Sequence, residues 1–173
     1  ANSFKLHVYI MPYDLYLKDI SNDTKALTYA IMRQESNFIP SALSRSFALG
    51  LMQIMPFLID AMSKHEKEDV EYSDMFKPEV NLKYAIKHIE WIKKSLYHPL
   101  FIAYGYNGGV NFFRKHLKTG AFLNEEYEPF LSMELMNNSQ SREYGKKVLA
   151  NYVMYKRILG ENVSIIHLFQ KLK

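Results

Sequence analysis

Apolar residues recur at intervals of three and four along most of the chain, the spacing that places side chains on one face of an α-helix. The clearest such stripe consists of Leu82, Ala85, Ile86, Ile89, Ile92 and Leu96. Pro78 and Glu79 precede it and suit the first turn of a helix, where a missing backbone N–H removes no hydrogen bond. We therefore predict a long helix that begins near Pro78 and buries this stripe.

Capping and helix-breaking residues delimit further predicted helices. Asp23 and Thr24 can cap a helix that ends near Glu35, and Gly160 can terminate the last helix. A helix that begins near Phe47 is predicted to break or kink at Pro56. The approximate bounds of these helices are 23–35, 47–65, 99 into 105–109, 110–118 and 141–159, and residues 125–136 are predicted to form a helix or a turn.

The N-terminal residues follow a different pattern. Apolar and polar residues alternate over residues 4–10, and this period of two predicts an extended chain. No second strand is predicted nearby to pair with it. We therefore expect an all-α chain, with residues 1–11 as an arm or the tail of a preceding domain and residues 12–173 as one helical domain.

Composition excludes several classes of protein. The chain has 173 residues, enough for one domain with a proper core, and 48% of them are hydrophobic. It has no Cys, which excludes a disulfide scaffold and a Cys-ligated metal site. The six His lack ligand spacing, so we expect neither a metal nor a cofactor. The net charge of +4 can attract an anionic polymer without selecting one.

One carboxylic acid stands at a position of chemical interest. Glu35 follows Ala30, Ile31 and Met32 at the end of a predicted apolar helix, just before a turn at Pro40. Partial desolvation there raises the pKa of a Glu until the side chain holds a proton near neutral pH. A general acid in glycoside chemistry needs that property. Alone, the position is also typical of an ordinary solvated Glu.

Four ordered motifs distinguish these alternatives. Glu35-Ser36 is followed by Gly50–Pro56 (GLMQIMP), by Ala103–Gly109 (AYGYNGG) and by Gln140–Tyr144 (QSREY). In this order they resemble the soluble lytic transglycosylase family, whose fold is goose-lysozyme-like. The family's blocks read Glu-Ser, Gly-Leu-Met-Gln-Ile/Leu-Met-Pro, Ala-Tyr-Asn-Ala-Gly and Glu-Thr-Arg-x-Tyr. The resemblance covers most of the chain, from about residue 11 to about residue 155.

The resemblance implies a role for each matched residue. Glu35 is implied as the catalytic acid. The Tyr106 hydroxyl is implied to lie near that acid, with Asn107 in support. The substrate-binding residues that the resemblance implies are Ser44, Gln53, Met55, Tyr106, Asn107, Gln140 and Tyr144. Met52 is equally well explained as a core side chain, and Arg142 as a structural contact.

The family's chemistry gives the expected function. Such an enzyme cleaves the β-1,4 bond between N-acetylmuramic acid and N-acetylglucosamine in peptidoglycan, and it leaves 1,6-anhydro-muramic acid ends. One Glu serves as acid and then as base, instead of the carboxylate pair of most glycosidases. One alternative is a hydrolytic muramidase of the same fold. Another is a non-catalytic module that binds glycan or nucleic acid through its 13 Tyr and its basic clusters.

Gln140 departs from the family motif, which has Glu at that position. An amide there removes a negative charge, and with it part of any like-charge effect on the pKa of Glu35. We therefore expect a weaker elevation of the Glu35 pKa, or compensation by burial. Gln140 can still bind sugar through its amide.

The resemblance also implies where the protein works. We expect the periplasm or the bacterial cell envelope, with peptidoglycan strands as the partner, no nucleic acid and a monomeric state. The chain carries no signal-peptide pattern and no apolar stretch long enough to span a membrane. Met11-Pro12-Tyr13 resembles family members with large upstream helical domains. We expect such domains in the native protein.

Overall fold

Helices form nearly all the regular structure in the residues that the computed structural model describes, which are 9–122, 127–136 and 138–172. Two isolated β-bridges, Leu43 with Leu49 and Leu49 with Ile54, are the extended pairings recorded in these ranges. The prediction of an all-α chain is confirmed. None of the helices described is both long and apolar enough to cross a membrane.

Eight α-helices and two short 3₁₀ helices are present in the described residues. The 3₁₀ helices are Asp14–Leu17 and Tyr72–Phe76. The α-helices are α1 (Asn22–Glu35), α2 (Pro56–Glu66), α3 (Pro78–Lys93), α4 (Pro99–Gly108), α5 (Val110–Leu117), α6 (Phe130–Glu134), α7 (Ser139–Ile158) and α8 (Ile165–Gln170). The chain forms two compact units, Ala1–His88 and Ile89–Lys173, whose boundary falls within α3.

Helix α1 is the centre of the first unit. Ser21 caps it by accepting a hydrogen bond from the Thr24 amide at 3.2 Å. Seven consecutive residues, 26–32, are completely buried, so the helix is surrounded by other parts of the chain. The hydroxyl of Tyr29 donates to the Pro12 carbonyl at 3.0 Å. These contacts hold α1, and therefore Glu35 at its last position, in a fixed place.

The predicted helix over residues 47–65 is wrong in its first half. Helix α2 begins at Pro56, and residues 47–55 form a loop. Three residues in this loop have left-handed backbone, Phe47 (φ 63°), Gly50 (φ 72°) and Gln53 (φ 49°), which no right-handed helix accommodates. Pro56 does not kink a helix but starts one, because its ring fixes a helical φ at the first position.

The second unit is built around α4. Its residues Leu100–Gly105 are buried, and the helix packs against α5 and α7. Close approach to α7 depends on Gly145, which lies flat against the ring of Tyr104. A Cβ atom at position 145 would overlap Cε1 of that ring and lie 2.6 Å from its Cζ.

His98 caps α4 and ties it to α8. Its Nδ1 accepts a hydrogen bond from the Leu100 amide at 3.2 Å, and its Nε2 donates to the Leu168 carbonyl at 2.9 Å. The two contacts require a neutral imidazole with its proton on Nε2. Burial lowers the pKa of His98 to about 4, with a smaller contribution from the charge of Lys171.

Most other predicted helices lie where the sequence placed them. The predictions for 110–118 and 141–159 correspond to α5 and α7, and Gly160 has the left-handed φ of a helix stop, 85°. Helix α8 was not predicted. The prediction of an extended arm over residues 4–10 lies largely outside the described residues, which begin at residue 9.

Gly145→Ala should lower the free energy of unfolding by about 1–3 kcal/mol, because the added methyl group overlaps a fully packed Tyr104 ring. Gly108→Ala is the matched control, since its Cβ would make ordinary contacts, the nearest of them with Phe112 Cδ1 at 3.4 Å and Ser141 Oγ at 3.6 Å. That variant should gain about 0.5–1 kcal/mol from reduced backbone entropy. Urea unfolding measures both. Equal stability of the two variants would contradict the packing described.

The free energy of unfolding should fall as pH decreases from about 6.5 to about 4, because unfolded His98 binds a proton that the folded state excludes. His98→Asn keeps a capping acceptor but does not titrate. It should therefore reduce the total loss of unfolding free energy across this pH range by up to about 3 kcal/mol. His88, whose pKa burial also lowers to about 4, should retain part of the slope. Urea titrations across this pH range measure it, with exposed His65→Asn as the control. Identical slopes for the parent and His98→Asn would show that His98 is not responsible.

Candidate active site

Glu35 is the last residue of α1 and is half-buried. The next residue, Ser36, is buried, and its amide donates to the Met32 carbonyl at 3.1 Å to close the helix. The carboxylate is thus carried by a rigid element, at the predicted position at the helix end. The predicted elevation of the Glu35 pKa stays a prediction.

The backbone directly after Glu35 is strained. Asn37 (φ 50°) and Phe38 (φ 67°) are both left-handed, and the Phe38 side chain is buried. A bulky residue in that region costs on the order of 1–3 kcal/mol and persists only where surrounding contacts enforce it. One enforcing contact is the Tyr13 hydroxyl, which donates to the Phe38 carbonyl at 3.3 Å. Strain of this kind concentrates at functional sites.

Ser44 organises the loop that follows, residues 42–55, which we call the Gln53 loop. Its Oγ accepts hydrogen bonds from the Ser46 amide at 3.2 Å and the Ala48 amide at 2.9 Å. Two N–H groups therefore use the lone pairs of the hydroxyl. What Ser44 has left to offer a ligand is its O–H, a donor.

Gln53, unlike Ser44, uses its donors rather than its acceptor within the loop. Its Nε2 donates to the Gly50 carbonyl at 2.8 Å and to the Ala42 carbonyl at 3.2 Å. Both amide hydrogens are therefore used within the loop, and Oε1 is left as an acceptor. A Gln side chain can offer a ligand both a donor and an acceptor, and in this structure only the acceptor of Gln53 remains available.

The two methionines of the GLMQIMP motif have different environments. Met52 is completely buried, which supports its interpretation as a core residue. Met55 is half-buried at the N-cap of α2, where its carbonyl accepts from the amides of Leu58 and Ile59. Met55 thus keeps an exposed portion that a ligand can contact.

Asn81 is the residue of this site that the sequence analysis missed. It is completely buried on α3, and its Oδ1 accepts from the Met52 amide at 2.9 Å. Its Nδ2 donates to the carbonyls of Leu49 and Met75, both at 2.9 Å. One signal was available, because Asn81 lies four residues before Ala85 and so falls on the apolar stripe of α3. A polar residue on a buried stripe indicates an internal hydrogen-bond partner.

Gly50 is required by the same contacts. A Cβ atom at this position would overlap the Met75 carbonyl oxygen and Nδ2 of Asn81. Its φ of 72° also disfavours an L side chain. The glycine of the GLMQIMP motif therefore permits the close approach that the Asn81 amide needs.

The remaining candidate residues belong to the second unit. Tyr106 and Asn107 are half-buried in the last turn of α4. The Oδ1 of Asn107 accepts a hydrogen bond from the Ser141 hydroxyl in the first turn of α7, at 2.8 Å. The structure thus joins the third and fourth sequence motifs through these two side chains.

Gln140 and Tyr144 are both on α7 but differ in exposure. Gln140 is exposed in the first turn, whereas Tyr144 is buried. Arg142 donates to the Glu134 carbonyl at 3.0 Å, the structural contact that was expected of it. The substrate-binding roles of Gln140 and Tyr144 stay predictions.

Metal-ligating side chains are dispersed in the part of the chain that the structure describes. No group of three or more His, Asp or Glu side chains there is placed to hold a metal ion. The chemistry available at the described candidate residues is therefore that of carboxyl, hydroxyl and amide groups.

A comparison with protein families identifies the fold family. The model of the transglycosylase SLT domain matches residues 16–128, which is more than half of the chain. The chain belongs to the transglycosylase SLT domain family. The match contains Glu35, the Gln53 loop and the residues Tyr106 and Asn107. The resemblance to soluble lytic transglycosylases is confirmed.

A sequence relative and two solved structures agree with this membership. The soluble lytic murein transglycosylase of Salmonella typhimurium is 27% identical over 156 residues, which are 86% of this chain and 23% of that protein. The crystal structure of the 70 kDa soluble lytic transglycosylase Slt70 from Escherichia coli matches with a TM-score of 0.78 at 24% identity, over 89% of this chain and 25% of that one. An inactive mutant of lytic transglycosylase Slt from Pseudomonas aeruginosa matches with a TM-score of 0.76 at 22% identity, over 88% and 25%.

These matches bear on the fold. At identities below 25%, the two solved structures show the fold of this chain and nothing about its activity. The prediction of an all-α, lysozyme-like fold is confirmed. The chain spans about a quarter of the length of the relatives it matches.

Asn81→Ala should lower the free energy of unfolding by at least about 3 kcal/mol, because three buried hydrogen bonds to backbone groups are lost and the Leu49 carbonyl keeps only its bond from the Ile54 amide. It should also release the Gln53 loop, seen as faster hydrogen exchange of the Met52 amide. Asn111→Ala, an exposed Asn on α5, is the matched control and should change stability by less than about 0.5 kcal/mol. Similar losses in both variants would contradict the role of Asn81.

Proposed function

We propose that this chain is a catalytic domain that cleaves the β-1,4 bond between N-acetylmuramic acid and N-acetylglucosamine in peptidoglycan. It does so without water and leaves 1,6-anhydro-muramic acid ends. The observation that carries the proposal is the half-buried Glu35 at the end of α1, followed by strained backbone and lying within the SLT family match. The name of the Salmonella relative, a soluble lytic murein transglycosylase, supports the substrate.

The reaction needs one carboxyl group in two steps. Protonated Glu35 donates its proton to the glycosidic oxygen, and the bond from that oxygen to C1 of the muramic acid breaks. The resulting Glu35 carboxylate then accepts the proton of the muramic acid C6 hydroxyl while the C6 oxygen forms a bond to C1. The proton thus returns to Glu35 and the carboxyl group is regenerated.

The Gln53 loop supplies groups that complement an acetamido substituent. Ser44 retains an O–H donor for a carbonyl oxygen, and Gln53 retains the Oε1 acceptor for an amide N–H. An acetamido group presents one of each. Both sugars of the proposed substrate carry this group, and on the muramic acid it can also stabilise positive charge that develops at C1. Ser44 and Gln53 are therefore proposed as substrate-binding residues, together with the exposed part of Met55.

The site of action follows from the proposed substrate. We propose that the domain acts in the bacterial cell envelope, where peptidoglycan lies, and more specifically in the periplasm. The expectations of a monomeric state and of upstream helical domains stay predictions.

Glu35→Gln should lower the rate of anhydro-muropeptide formation by about 10³–10⁴-fold, because the amide keeps the shape of the side chain but cannot deliver a proton. Folding and binding of glycan should persist, and stability should stay equal or rise slightly once a desolvated acid is replaced. Mass spectrometry of digested peptidoglycan measures the product. Glu79→Gln, which changes an exposed Glu on α3, is the control and should keep the parent rate.

Two outcomes would contradict the proposal. Anhydro products formed by Glu35→Gln at near the parent rate would show that Glu35 is not the acid. Reducing-end muramic acid as the parent's product would instead identify a hydrolytic muramidase, in which water replaces the C6 hydroxyl. A parent protein that binds glycan without turnover would identify a non-catalytic module.

A further inference from the structure

A buried hydroxyl meets the side chain of Asn107 in the second unit. Ser141 is 3% exposed, and its Oγ donates to Asn107 Oδ1 at 2.8 Å. The two residues are 34 positions apart, so the bond joins the end of α4 to the start of α7. It is a contact between two polar side chains, the least frequent class of protein hydrogen bond.

The backbone of α7 that carries the Ser141 hydroxyl is fixed by contacts on both sides. Asn138 caps α7, and its Oδ1 accepts from the Ser141 amide at 3.1 Å. Further along the same helix, Gly145 lies against Tyr104 of α4, which fixes the spacing of the two helices. The Ser141 hydroxyl is therefore placed by the fold, and the Asn107 amide has to orient itself to meet it.

The bond determines which half of the Asn107 amide is available. The terminal torsion of an Asn side chain is broad and roughly two-fold, so an unpartnered amide samples both orientations. With Oδ1 accepting from Ser141, the amide presents Nδ2, which has only hydrogens to donate. In the part of the chain that the structure describes, Asn107 makes no other side-chain hydrogen bond. The residue is half-buried, and Nδ2 is not among the buried polar side-chain atoms without a partner in the described residues.

The residues on either side of this hydrogen bond are small. The neighbouring residue is Gly108, whose missing Cβ would lie 3.6 Å from Ser141 Oγ. The family motif has Ala at this position and Thr at the position of Ser141, so this chain is smaller on both sides of the bond. The hydrogen bond from Ser141 is therefore the contact assigned here to orienting the amide.

We propose that Ser141 is a positioning residue for substrate binding. Its hydroxyl holds the Asn107 amide so that Nδ2 donates to an acetamido carbonyl or hydroxyl oxygen of the glycan. This inference rests on the proposed function, since it assigns a task to a residue proposed to bind the same glycan. It differs from a structural role because the benefit lies in the orientation of one amide and not in the stability of α7.

Four variants test the proposal. Ser141→Ala removes the hydroxyl, Ser141→Thr keeps it, and Ser141→Cys keeps the volume while weakening the donor. Ser139→Ala makes the same change as Ser141→Ala at an exposed position in the same turn and is the matched control. Each is assayed for anhydro-product formation on soluble, peptide-free glycan strands. Each is also titrated with tri-N-acetylchitotriose while the side-chain amide signals of Asn107 are followed by NMR.

The expected result is a rise in KM with little change in kcat. One hydrogen bond of this kind corresponds to about 3–10-fold in affinity, so Ser141→Ala should raise KM and the Kd for the trisaccharide by that factor. The KM and Kd of Ser141→Cys should lie between those of Ser141→Ala and those of the parent. Ser141→Thr should restore both constants to within about twofold of the parent, and Ser139→Ala should match the parent. If Ser141→Ala does not fold, Ser141→Cys carries the comparison.

Other results would overturn the proposal. Parent-like KM, Kd and Asn107 amide signals in Ser141→Ala or Ser141→Cys would show that the hydroxyl does not orient the amide. Failure of Ser141→Thr to restore the constants would show the same. If the parent makes no anhydro product, the proposed function fails, and the trisaccharide titration still decides whether Ser141 governs binding through Asn107.

Discussion

The candidate residues of the first unit depend on the hydrogen bonds that the side chain of Asn81 makes to the Gln53 loop. A single buried amide satisfies the Met52 amide and the carbonyls of Leu49 and Met75. Buried backbone groups without partners are costly, so this amide stabilises the loop in the conformation observed. Gly50 provides the necessary space. The orientation of Gln53 follows, because its own amide then meets the carbonyls of Gly50 and Ala42.

A common pattern emerges in three polar candidate residues, two in the first unit and one in the second. Each of Ser44, Gln53 and Asn107 uses part of its hydrogen-bonding capacity within the protein and retains one type of group, O–H, Oε1 and Nδ2 respectively. A side chain held in this way loses little entropy on binding and offers a ligand one defined polarity. Groups of this kind complement the acetamido substituents of the proposed substrate.

Local signals in the sequence were sufficient for much of the fold. Periodic apolar positions located α1, α3 and α7, and four short motifs indicated Glu35 and the other candidate site residues, whose roles stay predictions. What they could not provide was information that depends on distant partners. The loop over residues 47–55 was predicted as helix because a local pattern does not reveal its distant partner, Asn81, which is 29 positions from Met52. The Ser141 hydroxyl was overlooked because its partner is 34 positions away.

The central claim is that Glu35 directs the C6 hydroxyl of the substrate, and not water, to C1. The most direct measurement is digestion of purified peptidoglycan by this protein in heavy-oxygen water, followed by mass spectrometry of the muropeptides. The account predicts products with 1,6-anhydro ends that carry no heavy oxygen. Products with reducing-end muramic acid, each containing one heavy oxygen atom, would contradict it.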